Sequence, residues 1–561
     1  MLSRRFIGAV CAVTAALVLA GAASAATITR DVAGYDWTLP AWAAPAPNSG
    51  FFSEADSAAG DRRLLRGFDL TWRQLQPAGP GTFSLDTTGS AEGMALPSFR
   101  SQDADPSPFW MRLFVSGTSW APPWLAQKCA YRSVGPDYEG RRHVPIWNPC
   151  VWSHVRAVWR ELLVGRGLRA DPRLRFVYVP GGFTWSEFDY DMVDAGVRQN
   201  GLTFSRYSAW HRQMVADLVA MMNGDNADPS DDFAYKLVFT GEDYPFSETF
   251  GDDVALFARD AVDAGMGIRT GITEVANFHL GEVPAYGTRI ASSGHMVTDE
   301  SRPLLTDRRR IAATENECYT DCGFTTPTPA HSVRTSNLKA LQLRMNWIYV
   351  FPEDSYLKAY AAHWAWVRLE LGRRAADAPD AWIALRDAED TYWKDRGDRT
   401  WTGFPYVRNF ERWVVQRDVA GRGVPRRGTI VFTGDPAPEN GRAYESLRTN
   451  VAAGQDGIHL AVDDRFLTAA RPQAVDAKVT FKDVAGTAFR VEYRATGGAT
   501  RTTPPVTGAG SNRLRTVTFR LPDAAFDNGL GGATDLVIRA LDGDAEVAFF
   551  RVVKTVAPPS F

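Results

Sequence analysis

The pattern of apolar and polar positions changes character along this chain. From about Leu65 to about Arg373, short β-type runs alternate with longer stretches of helical periodicity. The β-type runs are Leu65–Leu70, Phe109–Val115, Leu174–Val179, Tyr235–Thr240, Ile268–Glu274, Arg310–Glu315 and Trp347–Phe351. Helical stretches lie between several of them, at Val151–Val164, Tyr207–Met222, Asp252–Ala264 and Thr335–Met345. Such alternation predicts βα units and a parallel sheet. Seven or eight units over roughly 300 residues fit an α/β fold of the (β/α)8 TIM barrel type. A doubly wound sheet is the second choice, but no Gly-rich phosphate loop follows the first strand.

Residues 375–427 form a transition with a final aromatic set, Trp401 to Trp413. From Gly428 onward short alternating runs appear, such as KVTFKDV, AFRVEYRA, TVTFRL and EVAFFRVV, separated by Gly, Asn and Asp turns. That pattern predicts an all-β sandwich. Its role stays open between a structural partner for the barrel and a carbohydrate-binding module. The first 25 residues read as an export signal: Arg4 and Arg5, an apolar run from Phe6 to Leu19, and the small-residue site Ala23-Ser24-Ala25. No later stretch is apolar and long enough to span a membrane. The expected division is 1–25 signal, 26–427 barrel with an N-terminal extension, and 428–561 sandwich, in a soluble protein secreted to the periplasm or the exterior.

Composition narrows the function classes. A net charge of −3 gives no reason to expect nucleic acid or an anionic membrane surface as a partner. The 18 tryptophans are many for this length; most are expected to fill the core and a few near strand ends to stack on sugar faces. Cys11 leaves with the signal, and the remaining four, in an oxidising compartment, suggest two disulfides. Sequence order favours Cys129–Cys150 and Cys318–Cys322 among the three possible pairings. No His cluster accompanies the Cys-x3-Cys pair, which argues against zinc.

Two apolar runs stop at a carboxylate. RFVYVPGGFTWSE ends at Glu187, and RRIAATE ends at Glu315. Glycoside hydrolysis needs such a pair, one acid to protonate the leaving oxygen and one carboxylate to attack or to activate water. The segment GFDLTWRQLQPAGPGTFSLD, from Gly67 to Asp86, resembles the first-strand motif of clan A (β/α)8 glycoside hydrolases, especially β-galactosidase-like families. There a strand-end Trp is followed by a Pro-Gly turn and an aromatic residue, here Trp72, Pro77, Gly79 and Phe83. Phe109 to Phe114 looks like the second strand, with Arg112 matching a basic residue common there. The resemblance implies an acid/base after strand four and a nucleophile after strand seven, the places of Glu187 and Glu315. Those families carry Asn directly before the acid/base; this chain has Ser186.

The residues around the pair extend the expectation. Trp185 beside Glu187 would desolvate its carboxyl, as suits a general acid. Glu315 and Glu317 point to the same side of an extended strand; Glu315 is the first choice for nucleophile and Glu317 the second. Glu242 and Glu274, after the fifth and sixth strands, and Asn277 are expected to contact sugar hydroxyls, together with Arg112. Trp72, Trp120 and Trp185 are the expected stacking rings. Neither a cofactor nor a metal is expected, although six oxygen ligands would suit calcium. The sequence thus predicts a secreted glycoside hydrolase acting on a poly- or oligosaccharide by the retaining mechanism. The alternative is a non-catalytic carbohydrate-binding protein on a degenerate barrel. No G-x-S-x-G elbow and no H-E-x-x-H supports another hydrolase class.

Overall fold

The computed structural model describes residues 25–54, 64–137, 139–179, 183–188, 190–224, 228–240, 255–272, 287–291, 295–316, 329–350, 357–386, 409–422, 425–430, 445–468 and 470–558. Glu242, Glu274, Asn277, Glu317, Cys318 and Cys322 lie outside them, as does the export signal.

Eight parallel strands close into a barrel. In chain order they are β1 Gly50–Phe52, β2 Leu64–Thr71, β3 Phe109–Phe114, β4 Leu174–Val179, β5 Leu237–Thr240, β6 Gly267–Ile272, β7 Ala312–Asn316 and β8 Trp347–Val350. β8 pairs with β1, which closes the ring. The motif expected on the first strand therefore lies on the second, and Phe109–Phe114 is the third. The missed element is β1, whose three residues GFF are too short to display any period. With β1 counted, Glu187 follows the fourth strand and Glu315 lies on the seventh.

Strand alternation sorts each barrel strand into two faces. Phe52, Trp110, Phe176, Tyr178, Val238, Ile311, Ala313, Trp347 and Tyr349 fill the interior as one aromatic-rich cluster. Trp110 and Phe176 stack with centroids 5.8 Å apart, and Phe52 meets Trp110 edge-on at 5.3 Å. The opposite faces pack on surrounding helices, including Pro149–Arg160 and Phe204–Met222, in the larger core. Cys129 and Cys150 form the expected disulfide, closing the loop that leads into the Pro149–Arg160 helix. Among the described residues no helix is long and apolar enough to cross a membrane.

The second domain is a large antiparallel sheet with its own apolar core. Its long strands are β12 Gly457–Val462, β13 Gln473–Lys482, β14 Ala488–Ala495, β15 Leu514–Ala524, β16 Leu536–Asp542 and β17 Glu546–Lys554. The sheet also takes strands from before residue 428: β9 Asp380–Ala384 pairs with β17, β10 Phe410–Arg412 with β9, and β11 Val414–Arg417 with β12. The N-terminal strand Thr27–Ala33 pairs with β15. Both ends of the chain are thus woven into this sheet, and the barrel is inserted between them.

Candidate active site

The barrel's polar end is built from the last inward position of several strands. Along β7, Ile311, Ala313 and Glu315 share one face at period two, so Glu315 stands one layer above the aromatic interior. On β3, Trp110 is followed by Arg112 two residues on, and on β6 Arg269 rises beside Tyr178. Strand ends at this face of a barrel are where reactive groups collect.

Arg269 joins the two predicted carboxylates. Its Nη1 donates to Glu315 Oε2 at 2.7 Å, its Nη2 donates to Glu187 Oε1, and its Nε donates to Tyr178 Oη at 3.2 Å. The guanidinium is 2% exposed, whereas the Glu187 and Glu315 side chains are 17% and 13% exposed. One planar fork, closed off below, therefore presents two carboxylates to the open end. Burial pushes the Tyr178 hydroxyl up to about 12, although Arg269 pulls it the other way, so Tyr178 is a neutral acceptor for Arg269. Beside the neighbouring Trp185, Glu187 thus also has a cationic partner in Arg269.

A second arginine anchors the neighbouring wall. Arg112 makes a bidentate pair with Asp69 on β2, at 3.0 Å from Nε and 2.7 Å from Nη2, and reaches Glu54 just after β1 at 3.2 Å. Burial opposes the charge on Arg112, but Asp69 and Glu54 more than offset it and raise its pKa above the usual arginine value. The guanidinium carbon also lies 5.7 Å from the Trp185 ring centroid. Gln102 holds Asp69 in place through both its backbone groups, at 3.0 and 2.9 Å.

The loop from β4 to Glu187 is tied to both neighbouring strands. Ser186, in the position where the resembling families carry Asn, is buried and donates from Oγ to the Leu113 carbonyl of β3 at 3.0 Å. The Phe188 amide donates to the Thr240 carbonyl at the end of β5 at 3.1 Å. Trp185 is half-buried at the mouth. Trp72 is fully buried, its Nε1 donating to Gln76 Oε1 at 2.9 Å and its ring edge-on to Trp124. Trp120 is enclosed between Phe114 and His143. Both of these rings pack the core rather than offer a free face.

Arg269, Asp69, Glu54 and Tyr178 were missed as site residues. A signal was present: an Arg or Asp inside an apolar barrel strand cannot be buried without an opposite charge, so IRTGI and GFDLT each advertise a partner. Among the described residues the one group with metal-ligand spacing is Cys129, Cys150 and His154, and its two sulfurs are joined to each other.

No family model matches the chain, and no curated protein matches it in sequence. Among solved structures it is similar to the isomalto-dextranase of Arthrobacter globiformis T6, solved in complex with panose. That likeness has 8% identity and a TM-score of 0.31, and covers 94% of this chain and 100% of the other. At that level it carries nothing about substrate or mechanism.

Proposed function

We propose that this chain is a secreted glycoside hydrolase of the retaining kind, with Glu187 as acid/base and Glu315 as nucleophile. The observation that carries the reading is the meeting of these two carboxylates on the single guanidinium of Arg269 at the mouth of a closed barrel. Their order, after the fourth strand and on the seventh, is that of the clan A barrels that the sequence resembles.

In the proposed first step Glu187, as the acid, delivers a proton to the glycosidic oxygen as Glu315 attacks the anomeric carbon, and the sugar–oxygen bond breaks. The Glu187 carboxylate next takes a proton from water, whose oxygen attacks the same carbon and releases Glu315. The partly exposed ring of Trp185, backed by the buried Arg112, forms the wall against which a sugar ring rests. Glu242, Glu274 and Asn277 remain proposed hydroxyl contacts.

A panel of aryl glycosides tests the reading. Glu187→Gln should abolish turnover of poor leaving groups and spare good ones, because good ones need little protonation. A fluorinated mechanism-based glycoside should label Glu315, and the first-formed product should keep the substrate's anomeric configuration. Inverted product, or label on Glu317, removes Glu315 from the nucleophile role. A wild-type chain that binds oligosaccharide and releases no aryl leaving group is a sugar-binding protein.

A further inference from the structure

A serine, a histidine and an aspartate line up behind the loop that carries Glu187. Asp137 Oδ1 accepts the backbone amides of Glu139 at 3.0 Å and Arg141 at 2.7 Å. Its Oδ2 lies 2.7 Å from His143 Nε2, and His143 Nδ1 lies 3.0 Å from Ser116 Oγ. Ser116 lies two residues beyond the end of β3, and its Oγ accepts the amide N–H of Phe183. Ser116, His143 and Phe183 have no exposed surface, and Asp137 is nearly as enclosed. The residue types are those of a hydrolytic triad, but a hydroxyl sealed from solvent cannot reach a substrate.

One proton arrangement satisfies every partner. Burial holds the His143 pKa below its usual value against the pull of Asp137, so the ring is neutral and carries a single N–H. A carboxylate only accepts, which places that hydrogen on Nε2. Nδ1 then accepts the Ser116 hydroxyl hydrogen, and an Oγ lone pair is left for the Phe183 amide. Each link points the same way, from the Phe183 amide to the Asp137 charge.

The far end of this line is a strained turn. Phe183, Trp185 and Ser186 have φ of 71°, 54° and 62°, left-handed backbone that non-glycine residues rarely adopt. Such conformations persist only where surrounding contacts over-determine them. The turn is held a second time from the same side: Glu92 Oε1 accepts the Trp185 amide at 3.1 Å, and Glu92 is ion-paired with Arg141, a neighbour of His143 in sequence. The His143 ring also meets Phe183 edge-on at 5.7 Å.

We propose that Asp137, His143 and Ser116 are positioning residues, a buried relay that fixes the strained turn and so sets the placement of Glu187, without touching substrate. The inference rests on Glu187 as the acid/base, and a double-mutant cycle separates the two claims. Ser116→Ala removes the acceptor for the Phe183 amide. On an aryl glycoside with a poor leaving group its kcat should fall about tenfold, the order expected for one buried hydrogen bond, with KM changed less than about twofold. Ser116→Thr, which keeps the oxygen, should restore most of the rate. In a Glu187→Gln background Ser116→Ala should have almost no further effect. Amides 183–188 should exchange hydrogen faster in Ser116→Ala, with β6 to β8 unchanged. Should Ser116→Ala fail to fold, His143→Gln replaces it in the same measurements.

An equal loss in both backgrounds, or unchanged exchange at 183–188 in a folded variant, overturns the relay and leaves the acid assignment standing. If Glu187→Gln itself leaves the poor substrate untouched, the acid assignment falls and the proposed role falls with it. Exchange at 183–188 then reports only on the clamp.

Discussion

Two of the buried meetings of arginine with carboxylate in this protein do opposite things. At the barrel mouth, Arg269 is closed off but its partners Glu187 and Glu315 keep one side open. At the seam between the barrel and the antiparallel sheet, both members of each pair are enclosed. Arg551 on β17 donates to Asp380 on β9 at 2.5 Å and to the Asp36 carbonyl at 2.6 Å. Lys478 on β13 reaches the Asp36 carboxylate at 2.9 Å, and Arg412 faces Glu370 at 3.6 Å. Trp37, Trp366, Trp382 and Phe549 pack on one another here, and the Trp366 ring lies 5.4 Å from the Arg551 guanidinium carbon. The same chemistry is sealed from water at the seam and leaves two carboxylates partly open at the mouth. Access, more than residue type, separates a site from a staple.

The comparison predicts a double dissociation. Glu315→Gln should cost roughly 10^3-fold or more in kcat, about 4 kcal/mol of barrier, while the melting temperature stays near that of the wild type. Arg551→Met should do the reverse. Leaving Asp380 buried and unpaired costs about 3–5 kcal/mol of stability, yet turnover per folded molecule should be unchanged. Thermal denaturation and initial rates of both variants, with active-site titration of Arg551→Met, check this. A stable, inactive Arg551→Met would mean that the seam shapes the mouth.

The tryptophans divide in the same way. Trp72→Ala should destabilise by about 3–5 kcal/mol, since a fully enclosed indole leaves a cavity. Trp185→Ala should leave stability almost untouched and raise KM about tenfold on an oligosaccharide, the order of one lost stacking contact. Paired melting curves and initial rates decide, and an unchanged KM takes Trp185 out of the sugar wall.

The parallel strands were legible because buried β-runs bounded by helices carry their own signal. Leu174–Val179 matches residue for residue, Phe109–Phe114 differs from expectation by one residue at an end, and Trp347–Val350 agrees as far as the described residues run. β1 was not legible, because three residues hold too little pattern. The weave of the sheet was also invisible. Nothing local in TITRDVA or DAWIA says that one pairs with β15 and the other with β17, hundreds of residues away. A division at residue 428 cuts across that pairing, so a chain ending near Val424 should fail to fold, since β9 and the N-terminal strand lose their partners. The site was half legible. Carboxylates at strand ends stand out, but Arg269 gains its meaning only when closure of the ring brings β4, β6 and β7 together.

The smallest expected effect concerns the charge state of the seam. Glu370 ends the Ala361–Glu370 helix with no exposed surface. Burial and the nearby Asp380 raise its pKa well above the usual 4.5, against the pull of Arg412. A carboxyl that binds its proton more tightly folded than unfolded stabilises fully below the unfolded value. From pH 4.5 upward the unfolded chain releases this proton first, so stability declines until the folded carboxyl ionises too. Glu370→Gln, which mimics the protonated form, should therefore melt close to the wild type near pH 4.5 and lose less stability as the pH rises toward neutrality. Melting curves across that range read the slope directly. A wild-type slope equal to that of the Gln variant would show Glu370 already ionised against Arg412. The Arg412–Glu370 pair would then be charged like the one at the mouth, and access alone would distinguish the two.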